Sequence, residues 1–435
     1  MNRFRSRRPL VVAAAVLIAL SIVLGASAAG GNIEVVSFYP QGAPDYTNLA
    51  AIAKSFESSH PGSKVTLTFG GGQDAPNIVA RWRAGNPPEV NVGFFSPGAA
   101  GEEYVNAGQV QDLTAAMNKP LPKSYGYGAS TKWKDTILPA VKPWITLGNK
   151  YYAVPSEITA INFFYNRALF KKYHLTAPTT WAQFLNVCAV LKKNGVAPLT
   201  VTGTFAGYMQ LYYDYLLARR VGTAPVLSAI AGKTSFASIP GAAAAASDLQ
   251  NLVKKGYFLN GFEGTDFTAA QLNFFQGRAG MILMGTWLEG EMKDSIPNGF
   301  ALGTFAFPTI PGGKGANVLF GAVNARTVAA KSANPAQGIE FLKWFSRKDV
   351  QAARTNYLAY LSPFKGVKVG PKYAGVMAAL QSKGGTFATD YFGVFGETAS
   401  VRNAYQLPIV KLMFGKESPA DMVKEISDGL QSAQR

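Results

Sequence analysis

The sequence predicts an α/β protein, built around parallel strands and divided into two domains. Three observations carry this. The stretch IEVVSFYP (33–40) is rich in β-branched and aromatic residues. Leu49, Ile52, Ala53 and Phe56 then recur with helical spacing, and Val65, Leu67 and Phe69 alternate through KVTLTF (64–69). A strand, a helix and a strand at this spacing form a βαβ unit, which makes the strand pair parallel. The length, 435 residues, exceeds what one hydrophobic core organises. Apolar residues make up 48% of the chain and charged residues 15%, a balance that fills cores and excludes a disordered chain.

Ahead of the first strand, Arg3, Arg5, Arg7 and Arg8 form a basic stretch, and Leu10 to Leu24 is almost wholly apolar. Ala26-Ser27-Ala28 then places small residues where a signal peptidase reads. Residues 1–28 read as a secretory signal cleaved after Ala28. An uncleaved anchor is the rival reading, but the apolar run is short for a span of about 20 residues. No cysteine lies near the cut, so no lipid attached through an N-terminal Cys is expected.

Removing four arginines lowers the formal charge from +17 to +13. A basic chain suits nucleic acid, an anionic membrane surface or an anionic ligand. The lysines and arginines are scattered, however, with no run longer than pairs such as Lys192-Lys193, and no nucleic-acid motif accompanies them. A solvated basic surface is the plainer reading, and no nucleic-acid partner is expected. The one cysteine, Cys188, rules out an internal disulfide. His60 and His174 stand without paired ligands, so neither a metal nor another cofactor is expected.

The remaining elements follow in order. GGGQDAP (70–76) leads into a helix that Pro87-Pro88 stops, and EVNVGFF (89–95) reads as a third strand. A strand reaches Pro155, the polar patch Ser156-Glu157-Ile158-Thr159 interrupts it, and Phe163-Phe164-Tyr165 resumes it before Asn166 turns into a helix. Thr179 or Thr180 caps a helix whose inward stripe is Trp181, Phe184, Leu185, Cys188 and Leu191, which makes Cys188 inert packing. In AGMILMGTWLE (279–289), Gly280 to Met284 reads as a buried strand, Gly285 breaks it, and Trp287 stands two residues beyond. Asn334-Pro335 opens a helix with Ile339, Leu342 and Phe345 inward. A final helix from Pro419 carries Met422, Val423, Ile426 and Leu430.

Catalytic constellations are missing. There is no Gly-x-Ser-x-Gly elbow, no His-Glu-x-x-His and no Walker loop. Asp390 and Glu397 could be imagined as a glycosidase pair, but two acids seven residues apart are weak support for a glycoside-active enzyme. The expectation is a protein that binds rather than reacts.

VPSEITAINFFYNRALFKKYHLTAPTTW (154–181) resembles a signature of the extracellular solute-binding proteins of carbohydrate ABC transporters, the maltose-binding-protein-like group. FFQGRAGMILMGTW (274–287), FAFPTIPGG (305–313) and NPAQGIEFLKWFSRKDVQ (334–351) are similar to further motifs of that family, in the same order. The opening FYPQG and the closing SPADMVKEISDGLQ fit as well. The resemblance implies a two-lobed periplasmic-binding-protein fold, each lobe an α/β sheet, joined by hinge strands around a ligand cleft. The chain would cross between lobes near 154–160, 319–324 and 355–362. The first lobe would hold residues 29–155 and 323–355, and the second 156–322 and 356–435. It further implies an exported, periplasmic or extracytoplasmic monomer that binds a sugar or oligosaccharide, closes, and delivers it to the permease subunits of an ABC transporter.

Open α/β sheets hold ligands beyond the C-terminal ends of their strands. A Gly-x-Trp after a buried strand puts an indole there, where an aromatic plate supports the C–H face of a sugar. The resemblance makes Trp287 that stacking platform. It also implies ligand contacts from Phe95, from Glu157 as a hydroxyl acceptor (a salt-bridged Glu being the other reading), and from Tyr208 at a helix start. Tyr39 and Gln41 in the loop after the first strand, Arg402, and Glu397 nearby complete the set. Thr398 departs from the pattern, standing where a second stacking tryptophan is expected. A rival cargo is a glycerol-phosphate ester or acidic sugar held by the glycine loop before the second helix.

Overall fold

The computed structural model describes residues 31–70, 76–93, 99–358, 360–381 and 386–434. The signal segment, the glycine loop after Gly70 and Phe95 lie outside these residues. Eleven strands are present among them: β1 (Asn32–Ser37), β2 (Lys64–Phe69), β3 (Val90–Val92), β4 (Thr146–Leu147), β5 (Lys150–Tyr151), β6 (Val154–Asn166), β7 (Ala197–Thr200), β8 (Ala279–Gly285), β9 (Leu302–Phe305), β10 (Val318–Val328) and β11 (Thr386–Thr389). β4 and β5 form a small hairpin. The other nine belong to one sheet whose main path runs β2-β1-β3-β10-β6-β8-β7, with β11 beside β10 and β9 beside β6.

The predicted βαβ unit is present. β1 and β2 pair in parallel from Asn32↔Lys64 to Ser37↔Phe69, joined by the helix Pro44–Ser59. That helix buries Leu49, Ile52, Ala53 and Phe56, the four residues of the sequence repeat. The third strand is shorter than expected. Gly93 adopts φ 76°, which turns the backbone and ends β3 at Val92.

Two long antiparallel strands link the halves of the sheet. The first part of β6, Val154–Ala160, pairs with β10, while Ile161–Tyr165 pairs with β8. β10 in turn pairs with β11 at Val318–Gly321 and with β3 at Arg326–Val328. Its register against β6 shifts between Asn324 and Ala325, a bulge at the middle of the crossing. The patch Ser156–Thr159 does not interrupt β6. The Ser156 hydroxyl donates to the Asn324 carbonyl at 2.9 Å and Thr159 to the Ala322 carbonyl at 3.2 Å. Polar side chains satisfied across the strand pair remove the reason for a break.

Helices cover both halves. Pro44–Ser59 packs with Pro335–Phe345 and Lys348–Leu358, Ala206–Val221 packs with Ala242–Lys254 and Ala399–Met413, and Pro419–Ala433 packs on those last two helices. Thr180 forms a capping box with Gln183 and Asn334 caps its helix, as the sequence suggests, and Ser418 caps the final helix. In the helix Trp181–Lys193, Cys188 is fully buried, and burial pushes its thiol well above the usual range. Val187 faces the core, while Leu185 is half-buried. Arg219, only 2% exposed, donates to the carbonyls of Phe307, Pro308, Gly315 and Val318 and so clamps the segment before β10 onto the helix Ala206–Val221. No helix among the described residues is long and apolar enough to cross a membrane.

Candidate functional site

The chain leaves β1 at Ser37, whose hydroxyl donates to the Tyr39 carbonyl at 2.8 Å and accepts from the Tyr39 N–H at 3.3 Å. This local turn presents Tyr39, 37% exposed, with Phe38 edge-on to its ring at 5.0 Å. Leaving β8, Thr286 bonds both ways to Ala160 of β6, through its N–H at 3.0 Å and its hydroxyl at 3.2 Å. Trp287 follows, half-buried, at the start of the helix Leu288–Met292. Its six-membered ring lies so close to Gly285 that a Cβ there would come within 2.0 Å of Cζ3 and 2.2 Å of Cη2. The glycine of Gly-x-Trp is therefore what lets the indole rest against the end of the strand.

Between these strand ends lies a cleft of about 510 Å³, within the roughly 300–1,000 Å³ usual for small-molecule sites. Tyr39, Asp45, Trp287, Glu291, Tyr357 and Tyr360 are among its lining residues. The Tyr360 hydroxyl is hydrogen-bonded to that of Tyr39, and burial raises both phenols above their usual range, so both stay neutral. Partial burial also raises the Glu291 carboxyl, against a 3.3 Å hydrogen bond from Gln271. Two other cavities run along the outer helix Pro419–Ala433, with no strand residue in their lining, and another lies at the outer ends of β1 and β2 beside Arg81 and Glu89.

Tyr208, 8% exposed, stands behind the indole rather than in the cleft lining. It is hydrogen-bonded to Trp287 and stacks on Phe267 at 5.4 Å. Tyr212, Tyr213 and Tyr215 on the same helix are fully buried. Beneath this wall, Asp214 accepts from the Tyr405 hydroxyl at 2.9 Å and from Gln210 Nε2 at 2.8 Å, and burial pushes its carboxyl well up. Gln210 Nε2 also donates to the Tyr391 carbonyl at 3.0 Å. Asp390, next in sequence to Tyr391, is pushed up to about 7, again by burial. Tyr391, Phe392 and Gly393 then take φ values of 55°, 49° and 76°, three left-handed residues in succession, a strained arrangement for the two aromatic ones.

The sequence-derived residues fall into groups. Tyr39 and Trp287 face one cleft, and Tyr208 supports Trp287. Gln41 is exposed in the loop beside the lining residue Gly42. Glu157 is buried, with one carboxylate oxygen 2.6 Å from Arg354 and the other 2.9 Å from Asn324 Nδ2, so protein groups occupy its acceptors. Glu397 is exposed and Arg402 half-buried at the start of the helix Ala399–Met413, and neither belongs to the cleft lining. Thr398 is that helix's N-cap, accepting from the Val401 N–H at 3.3 Å, a role tryptophan cannot fill. Phe95 is outside the described residues.

Asp45, Glu291, Tyr357 and Tyr360 escaped the sequence reading. Tyr357 and Tyr360, three residues apart inside the third expected crossing, are the one signal that could have found them. Among the described residues, no group of three His, Cys, Asp or Glu is placed to hold a metal.

The comparisons with known proteins agree with this architecture. A multiple sugar-binding protein of Streptococcus mutans is 24% identical over 304 residues, 68% of this chain and 67% of that protein. The diacetylchitobiose binding protein NgcE of Streptomyces coelicolor is 27% identical over 233 residues, 52% of this chain and 47% of that protein. The chain thus spans about two thirds of the first relative and about half of the second. Among solved structures, apo RafE from Streptococcus pneumoniae superposes with a TM-score of 0.73 at 20% identity, covering 94% of this chain and 99% of RafE. RafE has also been solved with raffinose. The profile of bacterial extracellular solute-binding proteins matches residues 39–352. These relatives are named as binding proteins, and the chain belongs to the family of bacterial extracellular solute-binding proteins.

Proposed function

We propose that this protein is the extracytoplasmic receptor of an ABC importer and that it holds a neutral saccharide in the cleft between Tyr39 and Trp287. The observation that carries the reading is the indole held against Gly285, opposite the paired hydroxyls of Tyr39 and Tyr360. An aromatic plate facing neutral hydroxyls and carboxylates suits a ligand with one apolar face and many O–H donors. The sugars named for the streptococcal and streptomycete relatives and for RafE point the same way.

An anionic cargo has less support. Arg354 is 2% exposed and bonded to Asp45 and Glu157, and Lys372 is paired with Glu289. Lys293 lines the cleft beside the carboxylates of Glu291 and Asp294.

The lobes would be residues 29–155 with 323–355 and residues 156–322 with 356–435, hinged on β6 and β10. A saccharide that binds the closed form better shifts the equilibrium by that difference in affinity, and the closed form is what permease subunits would read. Export would follow from the segment 1–28.

The test is thermal unfolding of residues 29–435 against neutral mono- and oligosaccharides, glycerol phosphates and acidic sugars. A ligand at about 100 times its Kd adds roughly 2.7 kcal/mol, a rise of several degrees. The expected result is a rise with one class of neutral sugar that Trp287→Ala removes. A rise with phosphoesters alone, or a sugar response untouched by Trp287→Ala, would sink the reading.

A further inference from the structure

Four charged side chains are buried where the chain passes between the halves of the sheet. Arg354 is 2% exposed, Arg326 3%, Asp45 5% and Glu157 8%. Two guanidiniums face two carboxylates, so the group is neutral overall. Stability alone does not account for it, because well-packed apolar residues of similar volume are often as stable as a buried ion cluster, or more so.

The positions of the partners are more telling. Arg354 Nη2 donates to Glu157 on β6 at 2.6 Å and to Asp45, in the first turn of the helix Pro44–Ser59, at 3.1 Å. Its Nη1 donates to Asn48 Oδ1 at 3.3 Å. The second carboxylate oxygen of Glu157 accepts from Asn324, at the bulge of β10, at 2.9 Å. The guanidinium carbon also sits 5.4 Å from the centre of the Tyr360 ring. One side chain thus touches β6 directly, β10 through Glu157, and the segment 355–362 through Tyr360. Two of its contacts, Asp45 and Tyr360, line the cleft.

We infer that Arg354 is a positioning residue that sets the angle between the two lobes and couples that angle to the floor of the cleft. The inference rests on the proposal that the protein is a receptor that closes about β6 and β10. Any rotation of one lobe on the other must bend these strands, and the Glu157–Asn324 bond bridges them at the bulge, where bending is easiest. A rotation that moves Glu157 relative to the helix Pro44–Ser59 changes the geometry at the guanidinium, and with it the placement of Asp45 and Tyr360. The planar fork of arginine can hold two carboxylates and an amide at once, whereas a lysine ammonium is a single point charge.

The experiment is small-angle X-ray scattering of residues 29–435 without ligand, on the wild type, Arg354→Lys and Asn324→Ala, with thermal unfolding alongside. The affinity of each protein for the saccharide that stabilises the wild type is then measured. Asn324 is exposed, so its truncation leaves the core and the β6–β10 backbone pairing intact while removing the side-chain bond that ties the Glu157 carboxylate to β10. Both variants are expected to shift or broaden the interlobe distance distribution. A saccharide affinity changed by about tenfold in Arg354→Lys, and less in Asn324→Ala, falls within the usual range of coupling between sites. If Arg354→Lys does not fold, Asn324→Ala decides the question alone. Lower melting temperatures with unchanged scattering and affinity would make the cluster purely structural and overturn the inference. If no saccharide stabilises the wild type, the sugar reading fails, and the ligand-free scattering still decides the role of Arg354.

Discussion

Adding one methyl group at Gly285 should disable the aromatic plate without touching Trp287 itself. A Cβ at this position would lie 2.0 Å from Cζ3, where ordinary contact begins near 3.4 Å, so the two must separate by about 1.4 Å. The strand cannot yield easily, since β8 is paired with β6 on one side and β7 on the other and is buried along its whole length. The indole must move instead, and a shift of that size breaks its hydrogen bond to Tyr208. Overpacking of this kind costs about 1–3 kcal/mol of stability. An aromatic contact is worth about 0.5–1.5 kcal/mol beyond the area it buries, and each 1.4 kcal/mol is a factor of about ten in affinity. Gly285→Ala should therefore weaken saccharide binding by roughly three- to tenfold, approaching Trp287→Ala. Titration calorimetry gives the affinity, and tryptophan emission reports the changed surroundings of the ring. Wild-type affinity together with an unchanged emission spectrum would show that the indole does not rest where the geometry puts it, or that it carries no ligand.

Three further outcomes are expected. Tyr360→Phe removes a hydroxyl bonded to Tyr39 and should weaken saccharide binding by about 1 kcal/mol with little change in melting temperature; a change confined to stability would separate the hydroxyl pair from the ligand. Asp390 has a folded carboxyl near 7 against 3.8 for an ordinary aspartate, so between about pH 4 and 7 the folded chain holds more protons than the unfolded one. Its contribution to stability is then complete at low pH and fades as pH rises through that window, and parallel melting curves for the wild type and Asp390→Asn from pH 4 to 8 would contradict this. Arg219→Met leaves the carbonyls of Phe307, Pro308, Gly315 and Val318 without their shared donor and should cost at least about 3 kcal/mol in denaturant unfolding; a loss below about 1 kcal/mol would mean that water replaces the guanidinium.

Much of the fold was legible because it is written in local patterns. The βαβ start, the buried stripe through Cys188 and the caps at Thr180 and Asn334 depend on residues a few positions apart. Trp287 was legible for the same reason, since Gly285, two residues before it, clears the space for its ring. The site was less legible where it depends on partners distant in sequence. Glu157 looks like a free acceptor until Arg354, 197 residues later, takes one of its oxygens. Tyr208 reads as a cleft residue, but its hydrogen bond runs to Trp287. The patch Ser156–Thr159 reads as a break because no local pattern announces β10 as its partner. The three left-handed residues from Tyr391 leave no signature either, because two of them are aromatic residues that seldom adopt that conformation.

The solitary thiol of Cys188 has a practical consequence. It is fully buried and its proton is held firmly, so the folded chain offers no accessible thiolate to add to a maleimide in water. A cysteine introduced at an exposed rim position such as Gln41 would be the sole accessible nucleophile of its kind. An environment-sensitive dye placed there would report cleft occupancy as a change in colour or brightness, turning the receptor into a reagentless sensor for its own cargo without any prior cysteine removal.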